Sequence, residues 1–248
     1  MKHDWITPDW FAPTNVRAFV TTRSGGVSVG PRASLNLGYK AGDDPQAVTQ
    51  NRAVVDAVLP RPARWLAQMH GTRVVNADTF EGVPEADASI ASRASTVCTI
   101  MIADCLPVLF TNRAGTRVAA AHAGWRGLSG GVLANVVEEM VVAGDRPADL
   151  MAWIGPGIGP TAFEVGADVY EAFVATDAET AAHFKPRGPQ APNKWLADLF
   201  GLARRALERA GVTQVSGGGL CTYSDTQRFF SYRRDKNSGR MAAFVWMQ

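Results

Sequence analysis

The sequence predicts a mixed α/β fold. Apolar segments with the length of buried strands interleave with segments that carry a helical apolar stripe. The chain has 248 residues, of which 46% are hydrophobic and 19% charged, an ordinary balance for a globular enzyme. A chain of this length buries a sizeable core, and it suits one large domain or two small ones.

Six segments have the composition of β-strands. Several of them are apolar almost throughout, which is typical of strands whose two faces are both covered by other layers of a protein. The six segments are VRAFVTT (16–22), VCTIMIA (97–103), PVLFTN (107–112), RVAAAHA (117–123), LMAWIG (150–155) and AAFVWM (242–247).

Three segments predict helices. Asp44 is a good N-cap residue and is followed by proline at the first helical position, which predicts a helix over 45–58. Apolar residues recur every four positions over 128–140 and form an amphipathic stripe. The segment 195–210 shows the same pattern and is followed by Gly211, a good residue for a helix C-terminus.

The proline-rich segment KPRGPQAPNK (185–194) predicts a surface loop. Apolar segments continue on both sides of this loop, so we expect one domain over 1–248. The segment GPGIGP (155–160) lacks the GxGxxG spacing of a nucleotide-binding loop, and its two prolines remove N–H donors. It therefore predicts a rigid turn.

Charge and composition argue against several classes of protein. The net charge is +2 and no block of Lys and Arg is present, which argues against a nucleic-acid partner. The most apolar run (97–110) is interrupted by Asp104 and Pro107 and is too short to span a bilayer. The first residues, MKHDWITPDWFAP, lack the apolar core of a signal peptide. The three cysteines show no disulfide spacing, so we expect reduced thiols and a cytoplasmic location.

Two histidines and one cysteine stand where predicted strands break. His70 lies in LAQMHGTRVV, Cys105 in IADCLPVLF and His122 in AAAHAGWR, each with glycine or proline close behind. Imidazole and thiolate ligands suit a catalytic zinc that keeps one position open, although the spacing is not that of a zinc finger. Packing inside the core is the alternative, and it is the role we expect for Cys98.

Seven segments together resemble one protein family. In chain order they are TTRSGGVSVGPRASLNLG, GDDPQAVTQNR, QMHGTRV, ADCLPVLF, AAHAGWRGL, IGPGIGPTAFEVGADV and CTYSDTQRFFSYRRDKNSGRMAAFVWM. From about Val16 to the C-terminus, the chain resembles the family known both as polyphenol oxidase laccase-domain proteins and as purine nucleoside phosphorylases. The combination of QxHG, ADCxP and AHAGWRG is specific to that family.

The resemblance implies a metal site, a fold and an activity. The histidine of QxHG is His70, the cysteine of ADCxP is Cys105 and the histidine of AHAGWRG is His122, and in the family these three residues bind Zn²⁺. The implied fold is an α-β-β-α sandwich. The implied activity is phosphorolysis of purine nucleosides (adenosine, inosine, guanosine and methylthioadenosine), with deamination of adenosine to inosine at the same site.

The histidine count bears on the laccase name. A multicopper laccase needs many histidines, whereas this chain has four, and two of them, His3 and His183, have the surroundings of surface residues. A single site with one cysteine and two histidines could still take up Cu²⁺ in vitro, because copper binds such ligands more tightly than zinc does.

Phosphorolysis requires a group that binds phosphate below the ribose. Arg23, beside the Ser-Gly-Gly segment 24–26, and Arg126 are the candidates, since arginine holds phosphate through two hydrogen bonds. Solvated surface arginines are the alternative. Arg233 and Arg234 are weaker candidates, because basic residues in a turn between strands are usually exposed.

Deamination requires a carboxylic acid that shuttles protons. Asp104, adjacent to Cys105, is the first candidate. Neighbours in an extended chain point to opposite faces, so Asp104 could instead hold a loop. Glu164 and Asp225 are alternative acids.

Aromatic residues would stack on a purine base, and Phe229, Phe230 and Tyr232 are candidates. If this segment is a strand, Phe230 and Tyr232 share one face and Phe229 lies on the other. A core strand is the alternative interpretation.

Two other functions fit the same residues. One is a hydrolase or amidase that edits a cell-wall precursor, with Cys105 as nucleophile beside His122. The other is a metal-binding module without catalytic activity. Dependence on phosphate separates the phosphorylase from the hydrolase, and a tightly held zinc would count against Cys105 as a free nucleophile.

Overall fold

Two β-sheets lie face to face between helices in the computed structural model, which describes residues 3–248. This arrangement confirms the mixed α/β class and the α-β-β-α sandwich. The strands are β1 (Val16–Val20), β2 (Val74–Asn76), β3 (Ala88–Ala91), β4 (Cys98–Ile102), β5 (Leu106–Asn112), β6 (Val118–Ala123), β7 (Leu150–Ile154), β8 (Glu164–Val165), β9 (Phe184–Pro186), β10 (Trp195–Ala197), β11 (Gln214–Gly217) and β12 (Met241–Met247). The α-helices are α1 (Pro45–Asp56), α2 (Trp125–Ser129), α3 (Val132–Val142), α4 (Ala167–Val174), α5 (Leu199–Arg209) and α6 (Tyr232–Asp235).

The larger sheet has six strands in the order β11-β7-β5-β6-β3-β2. Its central strands are antiparallel, whereas the outer pairs β11-β7 and β2-β3 are parallel. The smaller sheet has the order β1-β12-β4 and is antiparallel throughout. A third sheet, β8-β10-β9, has short strands.

The two faces of the larger sheet pack against different layers. In β5, Leu106, Val108 and Phe110 belong to the core shared with α3 and α5, whereas Leu109 belongs to the core between the two sheets. This alternation is the period of two that a strand imposes. Because both faces are covered, every residue of β5 is buried, and the strand is apolar along most of its length.

Helix α1 covers the outer face of the smaller sheet. Val55 packs there with Phe244 and Trp246 of β12. The helix begins as the sequence predicts, because the Asp44 side chain accepts a hydrogen bond from the backbone N–H of Gln46 at 2.9 Å. Within residues 3–248, no helix has the length and apolar composition needed to cross a membrane.

The six predicted strands are all present, with ends that differ by one or two residues. The helix predicted over 45–58 ends at Asp56. The apolar stripe over 128–140 is divided between α2 and α3, because Gly131 adopts a φ of 96° and interrupts the helix.

The helix predicted over 195–210 was wrong at its start. Trp195–Ala197 forms strand β10, and Asp198 then caps α5 by accepting a hydrogen bond from the Gly201 N–H at 3.0 Å. The predicted loop over 185–194 begins inside β9 and is otherwise largely exposed. Pairing in the small third sheet therefore outweighed the helical apolar pattern at the start of this segment.

We expect Phe110→Ala to lower the free energy of unfolding by about 3–5 kcal/mol, because the ring is fully buried between β5 and the helices. Urea unfolding measures this loss. Val142→Ala, at a side chain that is 78% exposed on α3, is the control and should change stability by no more than about 0.5 kcal/mol. Equal losses in the two variants would contradict the assignment of this core.

Candidate metal centre

Three segments that are distant in the sequence meet at one end of the larger sheet. His70 lies in the segment before β2, Cys105 directly precedes β5, and His122 is the penultimate residue of β6. The pairing of Leu106 with Ala123 brings the start of β5 beside the end of β6. Strand pairing thus places Cys105 next to His122.

The ligand atoms of His70, Cys105 and His122 all lie within 4.8 Å of one another. The two imidazole rings are 4.9 Å apart between centroids and nearly perpendicular, with 72° between their planes. His122 is buried, Cys105 is partly buried and His70 is exposed. The group therefore opens to solvent on the side of His70.

Asp87 holds two of these residues in place. Its Oδ1 lies 2.8 Å from Nδ1 of His122, and its carboxylate accepts hydrogen bonds from the backbone N–H groups of Met69, His70 and Gly71 at 2.7–3.0 Å. Its backbone carbonyl also accepts from the N–H of His122 at 2.7 Å. A carboxylate on Nδ1 leaves Nε2 of His122 for a metal ion, the arrangement in which metal-binding histidines are commonly fixed. Asp87 stands in no recognisable motif, so the sequence alone does not identify it.

Two glycines allow the segments to approach closely. A Cβ on Gly124 would lie 2.7 Å from Sγ of Cys105, and one on Gly127 would lie 2.7 Å from the carbonyl oxygen of Gly71. No Cβ fits at these distances, so the AHAGWRG motif needs both glycines for packing against the other two segments. His70 itself has a positive φ of 60°, which turns the backbone at the ligand.

The three charged groups shift one another's pKa values. Burial raises the pKa of the Cys105 thiol, but the charge of His122 and hydrogen bonds from both histidines outweigh burial and lower that pKa to about 6. Burial lowers the pKa of His122, but the Cys105 thiolate and Asp87 outweigh it and raise that pKa to about 9. Burial raises the pKa of Asp87, yet its hydrogen bonds from His122 and Gly71 bring it below its ordinary value. In the metal-free protein, Cys105 and His122 therefore form a thiolate–imidazolium pair at pH values between about 6 and about 9.

Asp104 lies next to this group but is engaged by other segments. Its Oδ1 accepts a hydrogen bond from the Thr222 hydroxyl at 2.7 Å, and its Oδ2 accepts from the backbone N–H of Arg233 at 2.6 Å. It is buried and has a positive φ of 87°. These contacts favour the alternative role, in which Asp104 holds a loop.

The two arginines predicted to bind phosphate differ in their surroundings. Arg23 donates from Nε to the Ala33 carbonyl and from Nη1 to the Thr226 carbonyl, which ties two loops together. Arg126 is exposed on α2, and its guanidinium lies 4.4 Å from the ring centroid of Trp125. In the described part of the chain, Arg126 has no hydrogen-bond acceptor for that guanidinium.

The other candidate side chains lie mostly in structural contacts. Glu164 pairs with Arg187 at 3.0 Å on the surface, and Asp225 pairs with Arg228 at 2.6 Å. Arg234 donates to the carbonyls of Thr222, Tyr223 and Phe229, and Arg233 donates to that of Glu164.

The strand predicted for Phe229, Phe230 and Tyr232 was wrong. Phe229 and Phe230 are fully buried outside any strand, as the core interpretation expects, and Tyr232 begins the short helix α6. Hydrogen bonds from Arg234 to nearby carbonyls and the Ser231 cap of α6 fold this segment away from an extended path. Tyr232 is 51% exposed, which leaves its ring accessible to a ligand.

The three cysteines differ in accessibility. Cys98 is fully buried in β4, and burial raises the pKa of its thiol to about 12. Cys221 is partly buried; burial raises the pKa of its thiol, but hydrogen bonds from Ser224 and Gly159 outweigh burial and lower it. No disulfide joins the cysteines in the described residues.

The chain matches one family model over almost its full length. The model is described as multi-copper polyphenol oxidoreductase laccase, and it matches residues 17–248. The chain belongs to this family. Within residues 3–248, one group of three metal-ligating side chains is close enough to hold an ion.

Curated relatives align with almost the whole chain. The chain is 54% identical over 244 residues, 98% of each protein, to a Pseudomonas aeruginosa protein named purine nucleoside phosphorylase PA4543. It is 50% identical over 248 residues, again 98% of each, to the Escherichia coli purine nucleoside phosphorylase YfiH.

Solved structures share the fold. The crystal structure of Neisseria meningitidis protein NMB0706 has a TM-score of 0.93, 50% identity and coverage of 99% of both chains. YlmD from Geobacillus stearothermophilus has a TM-score of 0.83 at 32% identity, and it covers 95% of this chain and 93% of its own.

We expect Asp87→Asn to weaken the binding of a metal ion at this site, measured with zinc as the probe, by about 10–100-fold, because the amide cannot hold His122 and the 69–71 backbone as a carboxylate does. Competition with a chelator measures the affinity. Asp149→Asn, at a surface carboxylate paired with Arg146, is the control and should bind zinc as the wild type does. Unchanged affinity in Asp87→Asn would show that Asp87 does not hold the ligands.

In metal-free protein carrying Cys221→Ser, we expect alkylation of Cys105 by iodoacetamide to accelerate as pH rises through about 6. The thiolate is the reactive form, and a lowered pKa means that it is present above that pH. Adding His122→Ala should move the midpoint to higher pH, since the main favourable charge is removed. A midpoint that stays in place without His122 would contradict the ion pair.

Proposed function

We propose that this protein is a zinc-dependent purine nucleoside phosphorylase. The observation that carries the proposal is the group formed by His70, Cys105 and His122, fixed by Asp87, at the open end of the larger sheet. Support also comes from relatives that are named purine nucleoside phosphorylases and align with the chain from end to end.

The donor set fits a zinc ion. Two imidazoles and one thiolate are ligands that zinc prefers, and three protein ligands leave a position for substrate or water. Copper(II) fits the same donors and competes for them in vitro, so oxidation observed with added copper would not define the native role. When bound, zinc supplies Lewis-acid chemistry at the reacting centre.

Phosphorolysis exchanges one bond at C1′ of the ribose for another. An oxygen of orthophosphate forms a bond to C1′ while the bond from C1′ to N9 of the purine breaks and its electron pair leaves with the base. The base takes up a proton, and ribose 1-phosphate is the second product. The reaction therefore needs an anion-binding group, a proton donor and a rigid site that aligns the two reactants.

The chain offers residues for these tasks. Asp87 fixes the orientation of His122 through Nδ1, which leaves Nε2 of the ring for the metal. Arg126 presents an open guanidinium on α2, and Arg23 shapes the loop around 24–26. Asp104 was the first candidate for the acid that shuttles protons in deamination, and its two hydrogen bonds favour a positioning role instead.

The proposed substrates are adenosine, inosine, guanosine and methylthioadenosine, with orthophosphate as the second substrate. We also propose that adenosine is deaminated to inosine at the same site, since that reaction uses the same base-binding position and a Lewis acid. The exposed ring of Tyr232 is the candidate surface for stacking the base.

A second function is favoured by one specific observation. Cys105, His122 and Asp87 are arranged as nucleophile, base and orienting acid, with Asp87 on Nδ1 of the histidine and the cysteine thiolate favoured by the histidine charge. A metal-free protein with this triad could act as a cysteine hydrolase or amidase, for example on a cell-wall precursor. Zinc on Cys105 would remove its free thiolate, so the two functions exclude each other at one site.

We expect protein purified without added metal to release free base from inosine and adenosine only when phosphate is present, with ribose 1-phosphate formed in equal amount. Cys105→Ala and His122→Ala should lose at least about 100-fold in rate, because each removes a ligand of the metal centre. Chromatography of base, ribose 1-phosphate and inosine measures the products.

Cys221→Ser is the matched control, since this cysteine lies outside the ligand group. It should keep the wild-type rate. If the zinc-loaded wild type releases no free base from inosine or adenosine and forms no inosine from adenosine, the nucleoside proposal is wrong. Turnover of an amide substrate by metal-free protein, lost in Cys105→Ala, would establish the hydrolase in its place.

A further inference from the structure

Arg240 directly precedes β12, and strand register places it beside the metal centre. Met241 pairs with Ile102 of β4. One step further along the antiparallel pair, Arg240 stands opposite Ala103, immediately before Asp104 and Cys105.

Hydrogen bonds to backbone carbonyls fix the side chain of Arg240, but one edge of its guanidinium has no hydrogen-bond partner. Nη1 donates to the carbonyls of Ser238 at 2.8 Å and Gly239 at 3.0 Å, and the backbone N–H donates to Oδ1 of Asn36. The stem packs on Gly38, where a Cβ would lie 2.7 Å from Cγ of the arginine. Within residues 3–248, Nε and Nη2 have no hydrogen-bond acceptor, and no carboxylate lies within 4.0 Å.

The open edge, formed by Nε and Nη2, is a two-donor fork that can bind an oxyanion. Nε–H and one Nη2–H point in parallel from the same side of the guanidinium, and this is the edge that binds two oxygens of a phosphate or carboxylate. A partly buried arginine is normally paired, because burial of an unpaired cation is costly. Neither nitrogen of this edge is a buried atom without a partner, so the edge is accessible to an anion that arrives from solvent.

The surroundings of the Arg240 guanidinium combine two acidic groups, a second arginine and an aromatic ring. Burial lowers the pKa of Arg240, and the charges of Cys105 and Asp104 oppose that effect, which places the guanidinium in their electrostatic field. Arg32 adds a second cation close by. The exposed ring of Tyr232 lies 5.6 Å from the Arg240 guanidinium carbon.

Among the neighbouring arginines, Arg23 and Arg234 lack this open fork, whereas Arg233 uses only Nη1 within the described residues, for the Glu164 carbonyl. Arg23 uses Nε and Nη1 for loop carbonyls. Arg234 uses Nε, Nη1 and Nη2 for carbonyls and for Asp235. Arg126 is open, but it lies exposed on its own neighbour Trp125, where solvent screens its charge.

We propose that Arg240 is the residue that binds orthophosphate at the metal centre and aligns it with C1′ of the ribose. This assignment rests on the proposed phosphorylase function for its role in turnover, whereas the binding of phosphate can be measured without turnover.

The test compares zinc-loaded wild type with Arg240→Ala, Arg240→Lys and Arg126→Ala. We expect Arg240→Ala to raise the KM for phosphate by at least about 30-fold while the KM for inosine changes by less than about 3-fold. Arg240→Lys should show an intermediate rise, because it keeps the charge and loses the fork. Arg113→Ala, an exposed arginine beyond the far end of β5, is the control and should match the wild type.

Calorimetric titration with inorganic phosphate provides the second readout, with zinc content and melting temperature measured on each variant. Phosphate binding by the wild type and its loss in Arg240→Ala would support the assignment even if no nucleoside is turned over, so the two proposals fail separately. If Arg240→Ala loses zinc or has a lower melting temperature than the wild type, the phosphate affinity of Arg240→Lys tests the assignment instead. Unchanged phosphate affinity in the Arg240 variants, no phosphate binding by the wild type, or a selective rise in the phosphate KM of Arg126→Ala alone would overturn the assignment.

Discussion

The candidate site depends on how a single buried carboxylate is satisfied. Asp87 is almost completely buried, and a carboxylate in that position is stable only when its oxygens accept enough hydrogen bonds. Three backbone N–H groups of the 69–71 segment and the imidazole of His122 provide them. The same contacts that stabilise the charge therefore fix one ligand by its ring and another by its backbone.

The burial of the central strands between layers explains why the residues of the candidate site lie at strand ends. Strands β5 and β6 are buried along their whole length, and their interiors are apolar on the helix side and on the sheet side. Polar side chains with access to solvent occur where these strands begin and end. Cys105 and His122 stand within two residues of such an end, and Arg240 directly precedes β12 of the smaller sheet, so sheet pairing alone assembles most of the site.

Much of the fold can be predicted from the sequence, for a physical reason. Coverage on both faces makes the core strands nearly continuous apolar runs, and these runs are visible without any structure. The short strands β2, β3 and β11 have three or four residues each, too few to show a pattern, and they form because they lie beside longer strands. The local apolar pattern also predicted the wrong start for α5. There, pairing with β8 and β9 makes Trp195–Ala197 a strand.

The candidate site was predictable in part. Its three ligand candidates stand in short motifs with glycine or proline close by, and motif resemblance is enough to find them. Asp87 lies 35 residues from His122, in a segment without a motif, and only the antiparallel pairing of β3 with β6 brings the two together. Arg240 could not be identified from the sequence for the same reason. Its neighbours come from β4 and from the loop around Asn36, both distant in the chain.

The pairing order of the smaller sheet has a consequence for how the molecule is made. Strand β12 lies between β1 and β4, yet both of these strands precede it in the chain. A ribosome that synthesises the protein from the N-terminus releases β12 after them, so neither β1 nor β4 has its partner until β12 has emerged. The smaller sheet therefore closes only then, and a nascent chain that stalls before β12 carries the three ligand candidates without this second layer of the sandwich.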